Sequence, residues 1–226
     1  MIVSGIDITI QKSERKTVSI FVERNGSVSA RVPINLNDED IKEILKAKEY
    51  QIFKNLSEWE LLNANAVDRE YVNGQSFLYL GRNYRLKLVD DNLEGVHFIK
   101  NTFILNKADR HKAKALFVQF YKDKLNSKIY SIIERYKTQL GVEPNGIKVM
   151  ELQNRWASCT SSGNVNFHWK CAMAPIDVLH YIVVHELAHL IYNNHSQAFW
   201  NEVDKILPNY SEQINWLKIN GAGMDL

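Results

Sequence analysis

The chain has 226 residues, with 28 Lys and Arg against 26 Asp and Glu, a formal net charge of +2 and 45% hydrophobic residues. This balance excludes a disordered acidic or basic tail, a collagen-like repeat and a low-complexity chain, and it predicts a packed core in one large domain or two small ones. The unusual feature is histidine: five of the seven fall within the 28 positions from His168 to His195.

In chain order, Ile6, Ile8 and Ile10 alternate with polar neighbours, as do Val18, Ile20 and Val22, and Asn25-Gly26 precedes Val28, Ala30 and Val32. Asn-Gly between alternating runs predicts a hairpin, closed here by Pro33. Asn37 suits the N-cap of a helix from Asp38 to about Leu62. Three short strands follow, at 77–80, 84–89 and 97–105, the last bent at Lys100-Asn101. A long helical stripe then runs from Asp109 to about Leu140 and stops at Gly141. Beyond it lie a strand at 147–152, a turn at 161–164, a strand at 165–169 and a helix entered at Pro175 that reaches about Tyr192. Asn193-Asn194 breaks that helix, and Ser196 caps a short one that ends before Pro208. No internal repeat is visible. The expected division is a β-rich region with one helix at 1–105 and a catalytic region at 106–226, compatible with a single compact unit.

Cys159 and Cys171 form neither a disulfide framework nor a paired metal motif, which suits reduced thiols and an intracellular setting. The N-terminus has no basic leader followed by an apolar core, so a cytoplasmic location is expected. The apolar stretch 176–192 carries Asp177, His180, His185, Glu186 and His189, a density of polar groups that predicts a buried helix and no membrane span. Residues 1–140 carry a net +5 and 141–226 a net −3, too weak an asymmetry to establish nucleic-acid binding.

His185-Glu186-Leu187-Ala188-His189 is an HExxH pattern. Helical positions four apart differ by about 40° around the axis and about 6 Å along it, so both imidazoles can face one ion. Glu186, about 100° round, can reach a water there without ligating the ion. Random order of this composition would produce the pattern about 0.01 times per chain. A catalytic zinc site needs a third protein ligand and a position left for water. His195, just past the Asn193-Asn194 break, is the first candidate because it needs less chain closure; Glu202 is the runner-up.

Arg155 suits a structural pair with Glu151 or Asp177, with an oxyanion or substrate contact as the alternative. Trp156, Trp169, Phe199 and Trp200 suit core packing better than a substrate platform. His168 and His180 fall off the ligand face, and Cys159 and Cys171 suit packed thiols.

Arg155-Trp156-Ala157-Ser158-Cys159, Ala174-Pro175, Tyr181 to Leu190, Asn194-His195-Ser196-Gln197-Ala198-Phe199-Trp200 and Pro208-Asn209-Tyr210 together resemble the YgjP-like metallopeptidase domain, most strongly over 145–218. The similarity to SprT-like and WLM zinc peptidases is more distant. Arg15 to Ile20 and Val32-Pro33 resemble the family's opening strand and its end. Ala157 departs from the family's glycine, and His168 stands where an asparagine is expected.

The resemblance implies an α+β, zincin-like fold in which the HExxH helix lies beside a small antiparallel sheet, preceded by a β-rich part and a long helix. It implies Zn²⁺ on His185, His189 and His195, with Glu186 as general base; imidazole also accepts other divalent transition metals. The expected activity is hydrolysis of a peptide or protein. The alternatives are a nucleoside triphosphate pyrophosphatase, a DNA-associated SprT-like protease and an inactive metal-binding module. The oligomeric state is not legible.

Overall fold

The computed structural model describes residues 1–23, 25–63, 69–152 and 155–226, and of 61–63 the backbone alone. The chain is an α+β protein of two compact units, Met1–Asn65 and Ala66–Leu226.

In the first unit, β1 (Ile2–Val3), β2 (Ile6–Ser13), β3 (Ser19–Val22) and β4 (Val28–Pro33) form one sheet in the order β1-β2-β4-β3. The two inner strands run parallel and each outer strand pairs antiparallel. Alternation buries Ile8, Val28, Ala30 and Val32 against Ile41 and Leu45 of α1 (Asp38–Ala47) and Ile52 of α2 (Glu49–Asn63). The Asn37 side chain caps α1 by accepting from the Asp40 N–H at 2.8 Å. The expected single helix over 38–62 is therefore two: Lys48 leaves helical geometry at φ −102°, ψ 4°, and its carbonyl accepts the Ile52 N–H that resumes the ladder. Neither glycine nor proline marks that break, which is why spacing alone passes over it.

The second unit opens with β5 (Ser76–Tyr79), β6 (Arg82–Val89), β7 (His97–Ile99) and β8 (Thr102–Asn106), in the order β5-β6-β8-β7. Their topology repeats that of the first sheet, two hairpins joined through a parallel inner pair. Ile10 faces Ala30 across the first inner pair, and Leu86 faces Phe103 across the second. The repeat is one of pairing and burial without matching residues, so it leaves no trace in the sequence.

Asn106 caps a 3₁₀ turn (Lys107–Lys112) that leads into α3 (Ala113–Leu140), and Gly141 ends the helix in the left-handed region at φ 66°. Phe117, Phe120 and Tyr121 of α3 pack on Phe77, Tyr79 and Phe103, with Phe77 stacked on Phe117 at 4.3 Å. Strands 76–106 thus share a core with α3 inside the second compact unit, which begins at Ala66.

A third sheet contains β9 (Gly146–Met150), β10 (Ala157–Cys159) and β11 (Asn164–His168), in the order β10-β11-β9. The β10–β11 hairpin is antiparallel, and the strand expected at 147–152 joins it as β9, parallel to β11. After a 3₁₀ turn (Trp169–Met173) come α4 (Ile176–Ala188), α5 (Gln197–Ile206) and α6 (Tyr210–Asn220). Val178, Leu179, Ile182, Val183, Val184 and Leu187 bury α4 on nearly every side, against α3, α5, α6 and β10. The turn between β5 and β6 clamps the approach to α4: the Leu80 and Gly81 N–H groups donate to the carbonyls of Ala172 and Met173, each at 2.9 Å. Helix α4 stops at Ala188, four residues short of the expected end, because the Leu190 N–H turns back to Leu187 O in a tighter 3₁₀-type bond. No described helix is long and apolar enough to cross a membrane.

Candidate metal centre

His185 and Glu186 sit on the last turn of α4 and His189 at its C-cap, so the early end of the helix puts His195 only one short loop away. The candidate ligand atoms of His185, His189 and His195 all lie within 4.8 Å of one another. Among the described residues this is the group of three or more His, Cys, Asp and Glu so arranged. Glu202, the runner-up ligand, instead accepts an ion pair from Lys205 at 2.6 Å.

Phe199, fully buried on α5, forms the floor of the cluster, its ring 4.9, 4.5 and 4.9 Å from those of His185, His189 and His195. Its place follows from the cap of α5, where the Ser196 hydroxyl accepts from the Phe199 N–H at 3.4 Å. Around the rim, His189 Nδ1 is 3.0 Å from the Tyr192 carbonyl, which can only accept, so Nδ1 carries a proton and Nε2 is the nitrogen left to face a metal. The Tyr181 hydroxyl lies 3.3 Å from His185 Nδ1. Burial first, with His189 and His195 beside it, holds the His185 imidazole down at about 3, so the ring is neutral near pH 7.

The donor set fits a divalent transition metal. His185 Nε2 and His195 Nε2 stand 3.1 Å apart; two nitrogens bound tetrahedrally to zinc at the usual length are separated by about 3.3 Å. Three imidazoles at this spacing suit zinc and other borderline ions.

Glu186 is 6% exposed. Burial pushes its carboxyl up to about 7, opposed in part by the Arg155 guanidinium and the Cys159 backbone N–H. A carboxyl poised there can accept or release a proton near neutrality. Arg155 is exposed and acts on Glu186 through its charge. The expected pair of Arg155 with Glu151 or Asp177 is not found among the described residues: Glu151 is taken by His168 Nε2 at 3.3 Å and by the Trp169 indole N–H.

Residues 16–220 match the YgjP-like metallopeptidase domain. The chain belongs to this family. Members carry a metallopeptidase domain, which implies a bound metal, and the YgjP-like region takes in nearly the whole chain, both compact units included. No curated protein matches the chain. Among solved structures it is similar to the metallopeptidase zymogen of Pyrococcus abyssi abylysin, at 25% identity and a TM-score of 0.37 over 39% of this chain and 90% of that one. It is likewise similar to the metallopeptidase zymogen of Methanocaldococcus jannaschii jannalysin, at 23% identity and a TM-score of 0.37 over 41% and 95%.

The remaining residues singled out in this YgjP-like chain have structural places. His180 Nδ1 is 2.7 Å from the Tyr136 hydroxyl, and buried His168 caps the 3₁₀ turn through the Lys170 N–H. Cys159 and Cys171 are free, and burial raises both thiols. Trp169 is core, stacked on Tyr121, while Trp156 and Trp200 are half-buried. Sequence reasoning passed over Tyr181, Tyr210 and the Tyr192 carbonyl. Tyr181 carried a usable signal, since it stands one helical turn before His185.

Proposed function

We propose that this YgjP-like chain hydrolyses peptide bonds with a metal, zinc by its donor set, held by His185, His189 and His195. The observation that carries the reading is the convergence of three imidazoles within 4.8 Å beside a buried carboxyl on the same helix. When bound, zinc acidifies a coordinated water to a pKa of about 7 and acts as a Lewis acid on a carbonyl.

The chain's own residues do the rest. Glu186 takes the proton from the attacking water and returns it to the nitrogen of the departing amine, and its raised carboxyl value suits both transfers. Burial keeps bulk water away from that carboxyl and strengthens its electrostatic partners. Arg155, from the solvent side, stabilises the carboxylate form or a substrate carbonyl. Burial keeps the His185 imidazole neutral, and the bond from His189 Nδ1 to the Tyr192 carbonyl leaves Nε2 as the nitrogen of that ring that would bind the metal.

The test is zinc analysis of purified protein together with turnover of an unfolded fluorogenic protein, run beside a panel of nucleoside triphosphates. The expected result is one zinc per chain and cleavage of the polypeptide, with Glu186→Gln keeping the metal and losing turnover by roughly 10²–10⁴-fold. Full turnover in Glu186→Gln, or cleavage of nucleotides in place of peptide, would overturn the reading.

A further inference from the structure

Two of the three histidines are joined by a column of aromatic rings. The column starts at the His185 imidazole, whose Nδ1 lies 3.3 Å from the Tyr181 hydroxyl. The Tyr181 ring stacks on Tyr210 at 6.4 Å and 14°, Tyr210 stacks on Trp200 at 5.2 Å and 14°, and Trp200 stacks on His195 at 5.6 Å and 24°. The rings come from three separate helices: Tyr181 from α4, Trp200 from α5 and Tyr210 from the first position of α6. The three steps from Tyr181 to His195 are near-parallel, whereas Tyr181 meets the His185 ring edge-on at 63° and Phe199 meets His185 and His195 edge-on at 75° and 79°.

His195 is the ligand that needs such support. His185 belongs to a buried helix, but His195 lies on an exposed loop between α4 and α5. An unrestrained side chain there gives up rotamer freedom when it binds, and that cost is subtracted from affinity. Stacking on Trp200 restricts the imidazole before anything binds. Trp200 is only half-buried, and what lies on its far face is Tyr210, held in turn by Tyr181.

We infer that the column Tyr181–Tyr210–Trp200 is a positioning device that sets His195 against His185, and that Tyr210 governs metal affinity while touching neither ligand. The inference rests on the metal-centre reading above. Parallel ring stacking contributes beyond area burial, and partners outside the ligand set typically change metal affinity 10–100-fold when removed.

The experiment compares full-length wild type with Tyr210→Leu, Tyr210→Phe and Tyr181→Phe, measuring the zinc dissociation constant by chelator competition and the visible spectrum of the cobalt-substituted proteins. Tyr210→Leu is expected to weaken zinc binding about tenfold and to broaden the cobalt bands, with Tyr210→Phe at wild-type affinity because it keeps the ring. Tyr181→Phe, which keeps the stack and removes the hydroxyl, is expected to weaken binding several-fold. It decides the matter if Tyr210→Leu does not fold. A role confined to packing would lower the melting temperature of metal-free Tyr210→Leu and leave its zinc affinity unchanged. That result, or wild-type affinity in Tyr181→Phe where Tyr210→Leu does not fold, would overturn the inference alone; a wild-type protein that binds no zinc would overturn it together with the metal-centre reading.

Discussion

Gly81 and Gly95 form a matched pair that isolates the contact between the β5–β6 turn and the entrance to α4. Both have φ +78°, so alanine at either site meets the same left-handed backbone cost of about 1–2 kcal/mol. A Cβ at Gly95 would meet nothing within 4 Å, whereas one at Gly81 would lie 2.7 Å from Pro175 Cγ and 2.9 Å from Pro175 Cα. Pro175 directly precedes the helix that carries HExxH, and Leu80 and Gly81 donate to the carbonyls just before it, so neither side can yield without breaking the clamp. Forced overlap in a packed site costs about 1–3 kcal/mol. Gly95→Ala is therefore expected to lose about 1–2 kcal/mol and Gly81→Ala about 2–5 kcal/mol, measured by urea unfolding with tryptophan fluorescence. Gly81→Ala should melt roughly 2–12 °C below Gly95→Ala. Losses equal within about 0.5 kcal/mol would refute the argument that the turn is seated on Pro175.

Three further outcomes are expected. The folded His180 imidazole is held below its ordinary value by burial and then by Arg135, with Asp177 opposing, and its Nδ1 lies 2.7 Å from the Tyr136 hydroxyl. Its stabilising contribution is thus complete above the unfolded value of about 6.5 and is lost as pH falls through the folded value; His180→Gln should flatten the stability–pH slope below about pH 6.5, and an unchanged slope would exclude the assignment. Ser196→Ala removes the cap at the start of α5 and should cost about 1 kcal/mol in unfolding, with zinc affinity falling as well because His195 is the preceding residue. Zinc at about 100 times its dissociation constant should stabilise the protein by about 2.7 kcal/mol in urea titrations; that gain should vanish with a chelator and in His189→Ala.

Much of the site was legible because it is local. HExxH needs only the helical period to place His185 and His189 on one face and Glu186 beside them, and Ser196 announces the next helix through ordinary capping chemistry. The hairpin at Asn25-Gly26, the N-cap at Asn37 and the stop at Gly141 are likewise properties of neighbouring residues, whereas the single bent strand expected at 97–105 is two antiparallel strands, β7 and β8, with Lys100-Asn101 as the turn between them. Chain breaks without such punctuation were not legible. Lys48 divides α1 from α2 with no glycine or proline, and α4 ends at Ala188 inside a run of apolar residues.

The sequence by itself determined the chemistry on offer: two imidazoles and a carboxyl on one helix, a third histidine after a break, and an otherwise ordinary globular composition. The sequence ranks His195 ahead of Glu202 as the third candidate ligand, but only tertiary structure, through the turn after Ala188, brings the His195 imidazole within 4.8 Å of the other two. Tertiary structure also decided that two unlike sequences fold into the same four-stranded topology, and that Tyr181, Tyr210 and Trp200 meet in one stack. The physical reason is the same throughout. Backbone hydrogen bonding and side-chain periodicity act over a few residues and can be read along the chain, whereas stacking, burial and sheet pairing depend on which distant segments share a core.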